Sequence, residues 1–148
     1  MSISYIRVES TYVCFIVEKG HMVHFVEIAE DLELAGLLWK PEIGDEVCDK
    51  KTHASVSILV DPQGMTPREL RTIYLWLPTL EQMILQVEAR QSILFHAGLE
   101  LSDSAMCYKT VLQSPRGKIE SSGETLRTAI GIALRNLILA EQEPRLIN

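Results

Sequence analysis

Short apolar runs separated by polar turns dominate the first half of the chain and favour strands. Tyr5 to Glu9 and Thr11 to Val17 (TYVCFIV) are rich in β-branched and aromatic residues, and Met22 to Glu27 (MVHFVE) repeats that character after a Glu18-Lys19-Gly20-His21 turn. A hairpin pairing Thr11–Val17 with Met22–Glu27 is expected. From Ile28 to Trp39 the period becomes helical. Ile28, Leu32, Ala35 and Leu38 share one stripe, Leu34 and Leu37 widen it, and Glu27, Glu30, Asp31 and Glu33 lie early, where carboxylates suit the helix dipole. Lys40-Pro41 is the expected stop, because the residue before proline avoids the α region. Glu42-Ile43-Gly44-Asp45 reads as a turn, His53 to Val60 (HASVSILV) as a strand, and Asp61-Pro62-Gln63-Gly64 as the turn that closes it.

The second half carries sharper boundary signals. Thr66-Pro67-Arg68-Glu69 has the form of a capping box with proline at the first helical position. The β-prone Ile73 to Leu77 and the breaker Pro78 limit that helix to a short turn followed by a strand at 72–77; one helix kinked at Pro78 is the alternative. Thr79 and Gln82 form a second box opening a helix from Leu80 to about Arg90. Ser92–Ala97 and Ala105–Gln113 read as strands, with turns at Gly98, at Ser102 to Ser104 and at Ser114 to Gly117, then a short strand at 118–120. The closing helix spans about Ser122 to Ala140. Ser121 with Glu124 offers its box, while Leu126, Ala129, Ile130, Ala133, Leu134, Leu137 and Ile138 recur at helical spacing. Gly131 in its interior costs about 1 kcal/mol against alanine, which points to close approach of another element.

This order predicts an α+β protein: a largely antiparallel sheet packed by two or three helices, the last long and amphipathic. At 148 residues it points to one compact domain over 1–148, with two small lobes (a β-rich 1–62 and an α/β 66–148) as the alternative. The 47% hydrophobic and 23% charged content belongs to a packed chain and excludes disorder. A mean hydropathy of +0.10 leaves an apolar surplus that an oligomer interface or a dense core would absorb equally.

The net charge of −6 changes the list of partners. The fourteen basic residues are scattered, the longest run being Lys50-Lys51, so general nucleic-acid binding and attachment to an anionic membrane surface are disfavoured. No apolar run approaches the roughly 20 residues of a spanning helix, and Met1 to Ser10 lacks the pattern of a signal peptide. Cys14, Cys48 and Cys107 form no CxxC pair; reduced thiols in a cytoplasm are expected, with Cys14 and Cys107 in the core and Cys48 the more exposed.

Residue spacing limits the candidate chemistry. His21-x-x-His24 would point to opposite faces of a strand, and no paired ligand motif accompanies it, so no metal is expected. Cys48 and His53 are five residues apart, but Asp45, Glu46 and Asp49 surround the thiol with negative charge, the reverse of what activates it. The carboxylate clusters (Glu27, Glu30, Asp31, Glu33; Glu42, Asp45, Glu46, Asp49) lack EF-hand spacing, and no phosphate-cradling glycine loop is present. No catalytic residue and no cofactor are therefore assigned. The loop from Trp39 to Asp45 is the candidate binding segment, with Trp39, Glu42 and Asp45 as its site residues; Trp39 as a cap on the core is the competing reading.

Leu38–Glu46 (LWKPEIGDE), Trp76–Ile84 (WLPTLEQMI) and Ser122–Leu139 (SGETLRTAIGIALRNLIL) resemble pieces of small uncharacterised α/β proteins encoded in bacterial genomes and prophages. The resemblance covers about half the chain and implies a small α/β fold of bacterial or phage origin, with no catalytic residue to carry over. The expectation is a non-enzymatic interaction or accessory domain that self-associates or binds a protein partner. The alternative is a small-molecule-binding protein or minor enzyme that uses the Trp39-to-Asp49 loop. A nucleic-acid-contacting regulator would require a clustered basic face.

Overall fold

The computed structural model describes residues 2–8, 11–17, 25–54, 56–102 and 105–144, and of residues 2–17 it gives the backbone pairing. Strands β1 (Ser2–Val8) and β2 (Thr11–Val17) pair antiparallel, from Ser2 opposite Val17 to Val8 opposite Thr11. This corrects the expected partner of Thr11–Val17. Phe25 to Glu27 belong instead to helix α1 (Phe25–Ala35), where Phe25 lies one turn before Ile28 and Ala29 and packs on the same core. The expected turn at Glu18–His21, and His24, lie outside the described residues.

Helix α1 buries Ile28, Ala29, Leu32 and Ala35, but it stops four residues before Trp39. Gly36, at φ +107°, supplies the left-handed stop, with Gly36 N–H donating to Glu33 O and Leu37 N–H to Leu32 O, the Schellman pattern. Leu37 then folds back into the core beside Leu32. Leu34 and Leu38, expected to join the buried stripe, face solvent instead.

The middle of the chain forms a three-stranded antiparallel sheet in the order β4 (Ser57–Ile58), β3 (Glu46–Asp49), β5 (Tyr74–Trp76). Strand β3 is central and both its faces are covered. Val47 packs with Trp39, Leu59 and Leu70, while Cys48 packs with Ala29, Leu75 and Leu77. Cys48 is therefore fully buried rather than the exposed thiol, and Cys107 is the half-buried one. The expected strand at His53–Val60 shrinks to two residues because His53 takes φ +54°, at the end of a turn wound by Asp49. Both capping boxes form: Thr66 with Glu69 opens α2 (Pro67–Ile73), and Thr79 with Gln82 opens α3 (Leu80–Ala89).

The last sheet is an antiparallel meander, β6 (Ile93–Ser102), β7 (Ala105–Ser114) and β8 (Gly117–Gly123), with a bulge in β6 between Leu94 and His96. Gly98, expected in a turn, is paired with Lys109 in mid-ladder. Strand β8 likewise runs through Ser121 and Ser122, so the expected helix start there is displaced. Helix α4 (Leu126–Gln142) begins after Thr125, whose Oγ1 accepts from Thr128 N–H at 3.0 Å. Ser121 Oγ instead donates to Ala129 O at 2.6 Å and draws α4 onto β8. Every strand pairing is antiparallel, and the α+β class holds with four helices among the described residues.

One apolar cluster unites these parts. It takes Ile28, Leu32 and Leu37 from the α1 region, Met83 and Val87 from α3, Leu112 from β7, and Ile130, Leu134, Leu137 and Ile138 from α4. Gly131 sits where α4 crosses α1: a Cβ there would lie 2.6 Å from Ile28 Cγ2. The close approach expected from that glycine is present. Asp31 with Arg135, at 2.8 Å, and Gln142 Nε2 donating to Ala35 O, at 2.6 Å, tie the two helices along their length.

Candidate functional site

The segment from Trp39 to Asp45 closes on itself. Asp45 Oδ2 accepts from Trp39 Nε1 at 2.7 Å and from Glu42 N–H at 2.9 Å, and Oδ1 accepts from Gln82 Nε2 at 2.7 Å. Arg71 Nη1 donates to Trp39 O at 2.9 Å, so α2 and α3 both grip the loop. Trp39 and Asp45 are each only 5% exposed, and Glu42 alone of the three points its side chain to solvent. The structure thus brings Trp39 and Asp45 together as a buried pair, with Glu42 meeting them through its backbone. Gln82, distant in sequence, is the participant that spacing could not reveal. Beside the pair, a slot of about 20 Å³ between Trp39 and Trp76 has room for about one water. Trp76 Nε1 is a buried donor with no protein acceptor among the described residues.

The carboxylate clusters disperse into separate ties. From α1, Glu30 reaches His53, Asp31 reaches Arg135, and Glu33 reaches Lys50 Nζ at 2.5 Å. His53 Nε2 lies 2.9 Å from Glu30 Oε1. From the second cluster, Glu46 pairs with Arg127 at 3.1 Å. Asp49 Oδ1 accepts from Lys51 N–H, Thr52 N–H and Thr52 Oγ1, which holds its carboxyl below the usual carboxylate range. Among the described residues no three His, Cys, Asp or Glu converge as metal ligands.

Cys48 sits near two of these carboxylates. Burial pushes its thiol up, and Asp49 and Glu30 push it further, so the thiol is held neutral. A nucleophile requires the opposite shift. His53 faces Glu30, and no base is aimed at the sulfur by any hydrogen bond among the described residues.

A larger cleft, about 390 Å³, opens between the ends of α3 and α4 and the β7–β8 turn. Its two guanidinium groups are spent on helix ends. Arg116 Nη1 donates to Ala140 O and, at 2.7 Å, to Glu143 O; Arg90 Nη1 donates to Gln86 O at 2.8 Å. Ala140 and Gln86 lie in the last turns of their helices and Glu143 is the C-cap of α4, where cations are favoured.

Two sheet margins leave apolar side chains uncovered. On the α4 side of the meander, successive ranks run Leu94–Leu112–Ile119, Ala97–Thr110–Ser121, Leu99–Tyr108–Gly123 and Leu101–Met106. Helix α4 covers the first two ranks. Strand β8 ends at the third, and β6 and β7 continue as a ribbon whose Leu99, Leu101 and Met106 are exposed. The second margin is β4, an edge strand. Leu59 is buried, with its N–H donating to Asp45 O and its carbonyl accepting from Gly44 N–H, both at 2.8 Å. Because peptide groups alternate in direction along a strand, Ile58 and Val60 turn theirs to the open edge. Their side chains, with that of Val56, face solvent.

Among the described residues no helix is long and apolar enough to cross a membrane. No family model, no curated protein and no solved structure matches the chain.

Proposed function

We propose that this chain is a non-enzymatic interaction domain that self-associates. The observation that supports it is the pair of uncovered apolar margins, the distal β6–β7 ribbon and the β4 edge. Isolated surface leucines are ordinary, but large apolar side chains aligned along one face mark contact surfaces. Leu101 and Val60 are 74% and 76% exposed, as if waiting for a covering element. The small-molecule alternative draws less support, because Trp39 and Asp45 of its loop are spent on each other.

Sedimentation from micromolar to millimolar concentration tests the proposal. Association that grows with concentration, and that weakens when Leu99, Leu101 and Met106 or Val56, Ile58 and Val60 are replaced by serine, is the expected result. A strict monomer throughout, insensitive to these replacements, would overturn it.

A further inference from the structure

Resting on the self-associating reading above, we infer that two copies of the chain join edge to edge through β4, antiparallel about a two-fold axis at Ile58. The backbone is self-complementary for this arrangement. Leu59 turns its N–H and C=O inward, so Ile58 and Val60 turn theirs to the open edge, and Ile58 meets Ile58 of the second copy across the axis with Val60 of each copy beside it. The two three-stranded sheets become one of six strands. On one face Ile58 and Val60 of each copy then stand together, with the exposed Val56 of each copy at the same edge.

Charge favours the same place. A net charge of −6 makes two copies repel over most of their surfaces, yet His53 to Val60 contains no Asp, Glu, Lys, Arg or Pro. Those are the residues with which edge strands are ordinarily guarded against pairing. Glu46, the cross-strand neighbour of Ile58, is paired with Arg127, and the nearest acid along the edge, Asp61, is kept roughly 20 Å from its counterpart by the two-fold, beyond the screening length at physiological salt. Area sets the strength. The exposed parts of Val56, Ile58 and Val60 come to roughly 100 Å² each, so about 300 Å² per copy, against about 800 Å² per partner in a standard stable interface. The dimer is therefore weak and reversible, formed in the micromolar-to-millimolar range.

Disulfide trapping reads the register directly. In a background with Cys14 and Cys107 replaced by serine, Ile58→Cys places two Cα atoms about 5.5 Å apart across the axis, within disulfide reach. Val60→Cys places them about 13 Å apart, although Val60 is the more exposed residue. Ile58→Cys is expected to cross-link at least about tenfold faster under mild oxidant, because random collision would favour Val60→Cys instead. Ile58→Lys sets two ammonium groups face to face and is expected to weaken association at least about a hundredfold, since the position counts twice in a two-fold interface. Circular dichroism verifies that this surface variant stays folded.

Equal cross-linking of the two cysteine variants overturns the inference, as does undiminished association of Ile58→Lys; either leaves self-association standing through another surface such as the ribbon. Slow amide exchange at Ile58 and Val60 in a dilute monomer also overturns it, because another part of the same chain would then occupy the edge. A wild-type monomer at every concentration overturns both this inference and the reading it rests on.

Discussion

At Asp45 a carboxylate is taken out of water with three neutral donors, Trp39 Nε1, Glu42 N–H and Gln82 Nε2, and no salt bridge among the described residues. Replacing it by alanine strands two of those donors, the indole of a tryptophan that is itself buried and an amide held half-buried by α3. Each stranded buried donor costs about 1–3 kcal/mol, so Asp45→Ala is expected to lose roughly 2–4 kcal/mol in urea unfolding. A loss within about 0.5 kcal/mol would show instead that the carboxylate is spare and open to a ligand. The sequence singles out this residue and Trp39 because a tryptophan beside a Pro- and Gly-containing loop can serve as a binding platform. It does not disclose which way they face, since that depends on Gln82 and Arg71, which only the fold brings there. Cys48 departs from expectation for the same reason: its acidic neighbours suggest a surface, but β3 is a central strand with both faces covered.

At the scale of elements, what is local in sequence is legible. Both capping boxes form where Thr66 and Thr79 announce them, because each needs only four consecutive residues. Ser121 with Glu124 makes the same local offer and loses it. The ladder with β7 extends to Gly123 opposite Tyr108, a pairing of residues far apart in sequence, and it claims Ser121 for the strand. Strand β3 has no alternation to show, since Val47 and Cys48 are both buried. The Gly131 expectation succeeds because a glycine inside a strong helix needs an external reason. Gly131→Ala gains about 1 kcal/mol of helix propensity. Against that, its Cβ would meet Ile28 Cγ2 at 2.6 Å and Phe25 Cε2 at 3.2 Å, on a stiff, buried isoleucine. Overpacking costs about 1–3 kcal/mol, so the net effect is expected to be destabilising by up to about 2 kcal/mol. In an Ile28→Ala background the same substitution should be neutral or stabilising, and a double-mutant cycle by thermal or urea unfolding measures that coupling. Additive effects of the two changes would refute the proposed contact.

At the scale of the molecule, Arg127 joins parts far apart in sequence. From the first turn of α4, Nε donates to Pro78 O at 3.0 Å, Nη2 to Leu77 O at 2.7 Å and Nη1 to Glu46 Oε1 at 3.1 Å. Its guanidinium carbon stands 4.1 Å from the centre of the Phe25 ring. One side chain thus links α4, and through it the β6–β8 meander, to α1, to β3 and to the segment between β5 and α3. Only a planar fork can serve these directions together, so lysine is no substitute even though it keeps the charge. Arg127→Lys is expected to cost about 2–3 kcal/mol, because two carbonyls and one carboxylate lose charge-assisted bonds. The loss should also be uneven. The meander keeps its own ladder and its cover from α4, so amides of Thr110 and Leu112 should hold their exchange protection at low denaturant. Those of Val47, Cys48 and Leu75, in the small sheet that Arg127 fastens down, should open earlier by a sub-global route. If all five amides instead lose protection in parallel, Arg127 stabilises the fold as a single unit. If Arg127→Lys exchanges like the wild type, the ion pair with Glu46 alone accounts for its role.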